Sequence, residues 1–427
     1  MKASDTIVAP ATAPGPAAVG IVRLSGSEAF SIGRMLCARW PERLEPRKAF
    51  FARFVREGDA FDSGLVLPFP GPASYTGEDV LELHGHGGRA TQELLAAALA
   101  CGARLAEPGE FTQRAFVNGK LDLVQAESVA QLIAAQSGRA LRVAARGLGG
   151  SLSEKLDQLE DAVLDLQGRV EGLLDFPAEA EGAEAGLVEA MSMVAGELEA
   201  LASTFAQGRR LFVRSEVVLA GPVNAGKSSL LNALVGEERA LVDALPGTTR
   251  DLVTADCERG GLPLRLVDTA GWREASGVEA RGIAVGQAAA ERADLVLWVT
   301  PIDALEPPPD AGWLHLASKR DLDPARKISD EVIAISARTG AGLDTLWEAV
   351  SRRLGAGSED ALVVGVERQA LGLGEASAAI RRAAEQGALE LVAEELGRAR
   401  SWLASVRGRA LEGDALDRVF RQFCIGK

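Results

Sequence analysis

The sequence contains little cysteine and histidine, which limits the metal and disulfide chemistry that it could support. Four cysteines occur in 427 residues, far apart and without the spacing of metal ligands. Two of the three histidines form the segment His84-Gly85-His86, and the third is His315. A closed zinc shell would need carboxylates or cysteines that no spacing indicates, so we interpret the neighbouring histidines as structural residues of a glycine turn. The cysteine usage favours a reduced, cytoplasmic setting.

Long apolar segments are also missing. No run approaches the ~20 residues that a membrane-spanning helix requires, and the first ten residues show no basic segment followed by an apolar core. We therefore expect no export signal and no stable membrane association. The net charge of −14 argues against a broad basic surface for nucleic acid, so any RNA contact would be local, shape-driven or shared with a partner. The length and the 47% hydrophobic content predict a globular protein of about two to three domains.

Residues 216–229, EVVLAGPVNAGKSS, contain the pattern of a phosphate-binding loop. An apolar run predicts a strand before Gly221, and apolar spacing predicts a helix after Ser228. Between them, Gly221-x-x-x-x-Gly226-Lys227-Ser228 would let backbone N–H groups and a helix N-terminus surround a phosphate. Lys227 would neutralise the β- and γ-phosphates, and Ser228 would offer its hydroxyl to Mg²⁺. We predict that the chain binds a nucleoside triphosphate.

Four further segments come in the order expected of a GTPase. Residues 247–251, GTTRD, are typical of a first switch, and residues 268–271, DTAG, come after an apolar strand where a carboxylate can lie behind the Mg²⁺ waters. Residues 318–321, SKRD, would recognise guanine, because the Asp321 carboxylate can accept from both N1–H and the 2-amino group. Residues 336–338, SAR, would support the base with main-chain donors. The sequence therefore predicts a guanine-nucleotide domain.

The predicted GTP contacts comprise the phosphate loop, the first switch with the residues before it, the second switch and the two base segments. They are Asn224, Ala225, Gly226, Lys227, Ser228, Ser229, Asp243, Ala244, Leu245, Pro246, Gly247, Thr248, Thr249, Asp268, Thr269, Ala270, Gly271, Ser318, Lys319, Arg320, Asp321, Ser336, Ala337 and Arg338.

Two features depart from the usual GTPase pattern. The base motif is usually Asn-Lys-x-Asp, but its first position here is Ser318. Serine keeps a hydrogen-bonding group and has a shorter reach, so we expect an effect on affinity more than on guanine preference. Between Val299 and Leu314 the chain is short and contains Pro307-Pro308-Pro309, whereas a parallel crossover normally includes a helix. We expect that helix to be truncated or missing, which would leave one face of the sheet thinly covered.

Two helical stripes flank the predicted GTPase domain. Apolar residues at alternating spacings of three and four predict one helix from Leu152 to Leu173 and another from Leu389 to Ala410. We favour packing of both within one bundle of this chain, with coiled-coil dimerisation as the alternative. Residues 1–118 differ, because they contain period-two stretches (VGIVRL, DVLELH) and glycine-proline turns, which predict a separate α+β domain.

The predicted fold class is therefore multidomain: an N-terminal α+β domain, a discontinuous α-helical bundle and an inserted α/β P-loop (Ras-like) GTPase domain. The expected boundaries are 1–118 for the N-terminal domain, 119–212 and 356–427 for the two parts of the helical domain, and 213–355 for the GTPase domain. The second helical part ends in FCIGK. A cysteine at a helix end is often only a small apolar residue, but Cys424 could also reach a site on another domain.

Taken together, these segments resemble the MnmE (TrmE) family of tRNA modification GTPases nearly from end to end. The segments that carry the resemblance are TIVAPATAPGPAAVGIVRLSG, FPGPASYTGEDVLELHGHGG, PGEFTQRAFVNGKLDLVQAE, the inserted GTPase motifs and FCIGK. The combination is more informative than any one of them.

For the N-terminal domain, the resemblance implies a folate site and an interface. The family's domain is similar to folate-dependent aminomethyl-transfer proteins, binds a tetrahydrofolate one-carbon derivative and forms a homodimer. The positions that match its folate pocket are Arg23, Glu82, Lys120 and Lys427. A carboxylate such as Glu82 suits the paired N–H donors of a pterin, and the cations suit its carboxylate tail. Taken alone, each of the four would be interpreted as a solvated surface charge.

For the GTPase domain, the resemblance implies that K⁺ takes the place of an arginine finger. The matching K⁺ ligands are Asn224, Asp243, Leu245 and Thr248. By the same resemblance Ser228 and Thr249 would hold Mg²⁺, and Glu279 would be the catalytic residue that orients the attacking water. Taken alone, Asn224 would be an ordinary loop residue and Glu279 a solvated helix carboxylate.

The function that the resemblance implies is that of a K⁺-dependent GTP hydrolase in tRNA modification. GTP and K⁺ would bring two GTPase domains together across a homodimer. In a heterotetramer with the flavin-dependent partner MnmG (GidA), the protein would take part in folate-dependent aminomethyl or carboxymethylaminomethyl modification at C5 of the wobble uridine, with Cys424 as a second catalytic residue. Two alternatives stay open: a ribosome-assembly GTPase, and a stand-alone folate aminomethyltransferase regulated by its GTPase domain.

Overall fold

The structure is a computed structural model that describes residues 5–175, 186–236, 253–269, 286–355, 362–410, 414–421, 423 and 426. The chain forms two compact units. The first consists of Met1–Ala130, Gly147–Asp175 and Ala393–Lys427, and the second of Gln131–Arg146 and Phe176–Val392. Within these described ranges, every helix is too short or too polar to traverse a bilayer.

The N-terminal region is a six-stranded sheet with helices. Its strands are β1 (Ile7–Pro10), β2 (Gly20–Ser25), β3 (Phe50–Arg56), β4 (Asp59–Phe69), β5 (Val80–Gly85) and β6 (Arg104–Leu105), and its helices are α1 (Ala29–Leu36), α2 (Arg89–Ala100) and α3 (Glu110–Val117). The strand order is β3-β4-β5-β2-β1-β6, antiparallel except for the β1–β6 pair. The predicted α+β class and the two period-two strands are confirmed.

The two faces of this sheet are covered differently. One face buries alternate residues such as Val22, Leu24 and Leu83 in a core with α1 and α2. On the other face, Ile7 and Ala9 pack against Phe111 of α3. Because side chains alternate along a strand, Arg23 and its cross-strand partner Glu82 lie on this second face. Two charged residues of the predicted folate pocket are therefore neighbours on adjacent strands.

Helices occupy the chain on both sides of the GTPase domain. Before it come α4 (Leu123–Ala134), α5 (Gly138–Leu148), α6 (Ser151–Asp175), α7 (Leu187–Ser203) and α8 (Phe205–Phe212). The helices after it are α12 (Glu367–Glu385), α13 (Leu389–Val406) and α14 (Asp414–Phe420). In the second unit α12 packs along α7, where Ser377 Oγ donates to Ala195 O at 2.8 Å. In the first unit, Arg409 pairs with Glu160 of α6 at 2.9 Å. Helices from before and after the insertion thus pack together within the chain.

The two predicted stripes are confirmed over most of their length. Every stripe residue of α6 from Leu152 to Leu173 is buried, as are the stripe residues of α13 from Val392 to Val406. The extension of the second stripe to Ala410 is wrong, because α13 ends at Val406 and Ala410 is exposed. Gly408 has a φ of +80°, and Arg409 N donates to Ala404 O at 2.9 Å, which is a glycine-terminated helix end.

The GTPase region is a second six-stranded sheet. Its strands are β7 (Ser215–Ala220), β8 (Val253–Arg259), β9 (Leu262–Asp268), β10 (Leu295–Pro301), β11 (Leu314–Ser318) and β12 (Ile333–Ala334), and its helices are α9 (Lys227–Gly236), α10 (described over 286–292) and α11 (Leu343–Arg353). The order is β12-β11-β10-β7-β9-β8, parallel except for β8 against β9. This is the predicted α/β domain. The carboxyl ends of the parallel strands lie at one edge, where ligands bind in such sheets.

The expected loss of the helix between β10 and β11 is confirmed. Residues 302–313, all of which the structure describes, connect β10 to β11 without a helix. The connecting loop covers the sheet itself, since Trp313 packs on Trp298 with ring centroids 5.9 Å apart, and Trp298 Nε1 donates to Glu306 O at 3.0 Å. The next crossover, 319–332, is also fully described and contains only a short 3-10 helix, Arg320–Leu322. This second loss is not predicted from the sequence.

Candidate functional site

The phosphate loop connects β7 to α9 and is tightly packed. Gly221 has a φ of +144°, and a Cβ built on it would lie 2.1 Å from Val299 O, so only glycine fits there. Lys227 begins α9 with its side chain buried, and its Nζ donates to the carbonyls of Gly221 at 3.1 Å and Pro222 at 2.9 Å. Burial lowers the pKa of Lys227, while the charge of Asp268 acts in the opposite direction. The loop therefore holds a desolvated cation, whose charge an anion would stabilise.

A serine and an aspartate meet beside this loop. Ser228 Oγ donates to Asp268 Oδ2 at 2.5 Å. The other carboxylate oxygen, Oδ1, is buried and has no hydrogen-bond partner among the residues that the structure describes. Mg²⁺ prefers oxygen ligands and keeps several of its waters. A serine hydroxyl next to a carboxylate oxygen with no donor of its own fits a hydrated Mg²⁺.

The base-recognition strand is joined to the phosphate loop through Ser318. This residue is buried at the end of β11, and its Oγ donates to Ala225 O at 2.6 Å, with Thr300 O 3.2 Å away. The shorter side chain therefore still reaches the phosphate loop. Its hydroxyl links the two segments that would hold the base and the phosphates.

Asp321 is held by the second base segment. Ser336 Oγ donates to its Oδ1 at 2.6 Å, and Arg338 Nη2 lies 3.0 Å from its Oδ2. The hydrogen bond from Ser336 lowers the pKa of Asp321, and the charge of Arg338 adds to the effect. Lys319 adopts a φ of +58°, which turns the chain into the short 3-10 helix that carries Asp321. The result is an ionised carboxylate with lone pairs left for further donors, as guanine recognition requires.

The remaining described contacts surround these groups. Asn224 has a φ of +63° with its side chain exposed, and Thr269 donates through Oγ1 to Leu219 O at 2.8 Å. Ala225 is buried, Ser229 is exposed, and Arg320 N donates to Ile335 O at 3.0 Å. Twelve predicted site residues lie outside the described part of the chain. They are Asp243, Ala244, Leu245, Pro246, Gly247, Thr248, Thr249, Ala270, Gly271, Glu279, Cys424 and Lys427.

The predicted folate residues on the sheet form an ion pair. Arg23 reaches Glu82 Oε1 through Nε at 2.9 Å and through Nη2 at 2.8 Å, and His84 Nε2 lies 3.1 Å from Oε2. The side chains of Arg23 and Glu82 are only 15% and 14% exposed, so neither residue is a solvated surface charge. The Arg23 guanidinium also lies 5.9 Å from the ring centroids of Tyr75 and Phe111.

The sequence does not predict that Tyr75 and Phe111 lie beside Arg23. His84 is expected to be a structural residue of a glycine turn, but it lies in β5 and contacts Glu82. A period-two signal was available for His84, because residues 82 and 84 of one strand point to the same face. No comparable signal existed for the two aromatic side chains, since a loop and a helix distant in sequence bring them to the sheet. His86 instead contacts Asp62, at 2.6 Å from Nδ1 to Oδ1. Within the described ranges, no group of three or more His, Cys, Asp or Glu side chains is placed to hold a metal ion.

Two residues near the end of the chain are described, and one of them, Gly426, contacts the N-terminal sheet. Phe423 is buried in a cluster with Phe420, and Gly426 O lies 3.4 Å from Arg23 Nη1. Gly426 is buried at a φ of +94°, where a Cβ would lie 2.1 Å from Pro10 O. Lys120 Nζ donates to Pro72 O at 3.0 Å, in the loop that carries Tyr75. The structure thus brings Arg23, Glu82 and Gly426 together.

Comparisons with known proteins agree with this architecture. A family described as the GTP-binding protein TrmE N-terminus matches residues 6–120, and the MnmE helical domain family matches residues 123–424. The tRNA modification GTPase MnmE of Myxococcus xanthus (strain DK1622) is 44% identical over 440 residues, which cover 100% of both chains. The protein of the same name from Azoarcus sp. (strain BH72) is 44% identical over 447 residues, which cover 99% of this chain and 98% of that one. With this similarity along its whole length, the chain belongs to the MnmE family of tRNA modification GTPases.

Proposed function

We propose that this chain, a GTP hydrolase of tRNA modification by its family, requires K⁺ and acts with a flavin-dependent partner, MnmG, on C5 of the wobble uridine. The modification installed would be an aminomethyl or carboxymethylaminomethyl group. The observation that supports the nucleotide part best is the meeting of Lys227, Ser228 and Asp268 at one end of β7 and β9. Phosphoryl transfer depends mainly on positioning and charge, and these three side chains are positioned by strands and helix rather than by mobile loops.

In the proposed hydrolysis, Lys227 leaves the loop carbonyls that it contacts and binds the β- and γ-phosphate oxygens. Ser228 and Thr249 would hold Mg²⁺, which would add positive charge at the phosphates. Asp268 Oδ1, which has no hydrogen-bond partner among the described residues, would accept a hydrogen bond from a group bound there. Asp321 binds the guanine edge. The hydrogen bond from Ser318 to Ala225 O holds the base segment beside the phosphate loop. Glu279 orients the attacking water.

Asn224, Asp243, Leu245 and Thr248 would hold K⁺, and its charge would replace that of the arginine finger of other GTPases, an effect of ~10³–10⁵ in rate. Asn224 is the described member of this set. Its left-handed backbone leaves the side chain exposed at the outer turn of the phosphate loop, free to bind an ion. We propose that the ion also joins two GTPase domains of a homodimer.

The proposed folate site lies on the N-terminal sheet. Arg23, Glu82, Lys120 and Lys427 would bind a tetrahydrofolate one-carbon derivative, with Glu82 accepting from the pterin and the cations binding the carboxylate tail. Support comes from the half-buried Arg23–Glu82 pair and from Gly426, whose carbonyl oxygen lies 3.4 Å from Arg23 Nη1. Cys424, two residues earlier, would then act in the transfer step.

We assign these roles to domains 1–118 for folate binding and dimerisation, 119–212 with 356–427 for the helical domain, and 213–355 for GTP hydrolysis. The proposed assembly is a cytoplasmic heterotetramer of two copies of this chain and two of MnmG, with tRNA as substrate. Since the chain is acidic, the partner would share the tRNA contact.

The experiment that tests this function is nucleoside analysis of tRNA by mass spectrometry. Cells that lack the gene would be complemented with the wild-type chain, Ser228→Ala or Cys424→Ser. We expect the wild type to restore the modified wobble uridine and both variants to fail. Purified Cys424→Ser should still hydrolyse GTP at the wild-type rate, whereas Ser228→Ala should not. Unchanged tRNA nucleosides with the wild-type chain would contradict the proposal and favour a role in ribosome assembly, and intact modification by Cys424→Ser would remove Cys424 from the mechanism.

A further inference from the structure

The β8–β9 hairpin connects the two segments that respond to the nucleotide. In the sequence β8 begins two residues after the first-switch motif, which ends at Asp251, and β9 ends at Asp268. The turn of the hairpin, Gly260-Gly261, lies at its opposite end. Seven residues of strand separate the turn from the end of β9, a span of roughly 20 Å. Any shift of this two-stranded hairpin along its axis must be accommodated at the turn.

The partner of this turn comes from outside the GTPase domain. Ser137, between α4 and α5, donates through Oγ to Gly261 O at 2.7 Å. The same oxygen accepts from Ala140 N at 3.0 Å, so Ser137 is also the N-cap of α5. Gly261 has a φ of +76°, and a Cβ built on it would lie 2.6 Å from Arg139 Cβ. The turn and the start of α5 are therefore in direct contact, and only glycine allows this approach.

Further contacts fix the hairpin on both sides of this bond. Arg214 donates through Nε to Gln136 Oε1 at 2.6 Å and is also paired with Asp256 of β8. Ala140 is fully buried in the same core as Leu262, the first residue of β9. On the other side, the Arg259 guanidinium lies 5.5 Å from the ring centroid of Trp347 in α11. The hairpin turn is thus held between α11 and the segment 131–146, within one compact unit.

We propose that Ser137 is a positioning residue that couples the nucleotide state of the GTPase domain to residues 131–146 through the β8–β9 turn. Its hydroxyl has two functions that substitutions can separate. Donation to Gly261 O couples the turn to α5, and acceptance from Ala140 N only caps α5. A nucleotide-dependent shift of the hairpin then changes the stability of the first turn of α5. This inference rests on the proposed GTPase function.

Three substitutions distinguish coupling from capping. Ser137→Thr keeps both the donor and the acceptor. Ser137→Asp keeps the acceptor for the cap, since aspartate is a good N-cap, but has no proton to donate to Gly261 O. Ser137→Ala loses both. Because Ser137→Asp preserves the cap of α5, it tests the coupling even if Ser137→Ala does not fold.

The test is amide hydrogen exchange of the full-length protein, measured over residues 137–146 with GDP and with a non-hydrolysable GTP analogue in Mg²⁺ and K⁺. For the wild type and Ser137→Thr we expect exchange rates that differ between the two nucleotides by at least about fivefold, the lower end of measured allosteric couplings. Ser137→Asp should lose this difference while it binds both nucleotides with wild-type affinity.

Two results would overturn the proposal: no nucleotide-dependent difference in the wild type although both nucleotides bind, or an undiminished difference in Ser137→Asp. Nucleotide binding is measured separately with fluorescent GDP and GTP analogues. A wild-type chain that binds neither would contradict the proposed function itself, and with it this coupling.

Discussion

At the scale of single residues, the nucleotide site depends on the hydroxyl groups of three serines, one of which replaces a residue that is usual in other GTPases. Ser318 stands where asparagine is usual, yet it lies 2.6 Å from Ala225 O and joins the base segment to the phosphate loop. Ser336 orients Asp321, and Ser228 contacts Asp268. The sequence predicted each of these residues but not the bonds between them, because the pairs come together only when strands distant in sequence align.

We predict that Ser318→Ala weakens GDP binding by roughly five- to tenfold, because a buried hydrogen bond contributes about 1 kcal/mol net and Ala225 O would lose its donor. Preference for guanine over adenine should be unchanged, since Asp321 is intact. Titration with fluorescent GDP and competition by ATP measure both quantities.

The matched control is Asp321→Asn, in which one carboxylate oxygen becomes a donor. This variant should lose guanine discrimination while the Ser318 bond persists. Wild-type affinity in Ser318→Ala would show that the hydroxyl does not support the phosphate loop, and loss of guanine preference in that variant would contradict the role given to Asp321.

At the scale of secondary structure elements, α6 provides a direct comparison between two leucines. Leu166 is 3% exposed on the buried stripe, whereas Leu164, two residues earlier, is 47% exposed. We predict that Leu166→Ala lowers the free energy of unfolding by about 2–5 kcal/mol through lost burial and a cavity. Leu164→Ala should change it by no more than about 0.5 kcal/mol. Urea unfolding followed by circular dichroism checks the pair, and equal midpoints for the two variants would refute the assignment of the buried face.

The ion cluster of α3 predicts how the N-terminal domain responds to acid. Buried Arg114 pairs with Asp5 at 2.8 Å, Glu78 at 3.0 Å and Glu110 at 3.1 Å. Burial alone would raise the pKa of Asp5 and of Glu110, but hydrogen bonds with Arg104 and Arg114 outweigh it and hold both pKa values below their ordinary values of 3.8 and 4.5. Carboxylates with lowered folded pKa values stabilise the fold above those ordinary values, and the stabilisation is lost as the pH falls through the folded pKa.

We therefore expect the chain to unfold in acid and Arg114→Met to unfold at a higher pH than the wild type, because the substitution removes the one cation that pairs with all three carboxylates and leaves only Arg104 beside Asp5 and buried Glu110. An acid titration followed by circular dichroism measures the two midpoints. Arg89→Met, on an exposed arginine that pairs with Glu93 on the same helix, is the control and should leave the midpoint in place. Identical midpoints for Arg114→Met and the wild type would contradict the role of the cluster.

Elements with strong periodicity were predicted well, and their ends less well. The α6 stripe and the strands β2, β5 and β7 can be predicted from apolar spacing alone. The missing helix between β10 and β11 was indicated by a short, proline-containing connection. The absence of a helix before β12 was not indicated by the sequence. Residues 319–332 are long enough to form a helix, and their apolar spacing does not rule one out. The end of α13 depends on the conformation of Gly408, which spacing does not reveal.

At the scale of the whole molecule, each compact unit is built from segments that are distant in sequence. The GTPase domain is inserted between helices, and each compact unit combines segments from before and after the insertion. Contacts such as Ser377 with Ala195, 182 residues apart, could not be predicted from spacing. The net charge of −14 follows from composition alone, and it argues against a broad basic surface for nucleic acid.

The central claim for the whole protein is that it hydrolyses GTP with K⁺ in place of an arginine finger. The most direct measurement is the rate of GTP hydrolysis by the purified full-length chain in KCl and in NaCl at equal ionic strength, with Asn224→Ala in parallel. We predict a large stimulation by K⁺, within the ~10³–10⁵ range of an arginine finger, and its loss in Asn224→Ala while GDP affinity is kept. Equal rates in the two salts, or undiminished K⁺ stimulation in the variant, would contradict this mechanism.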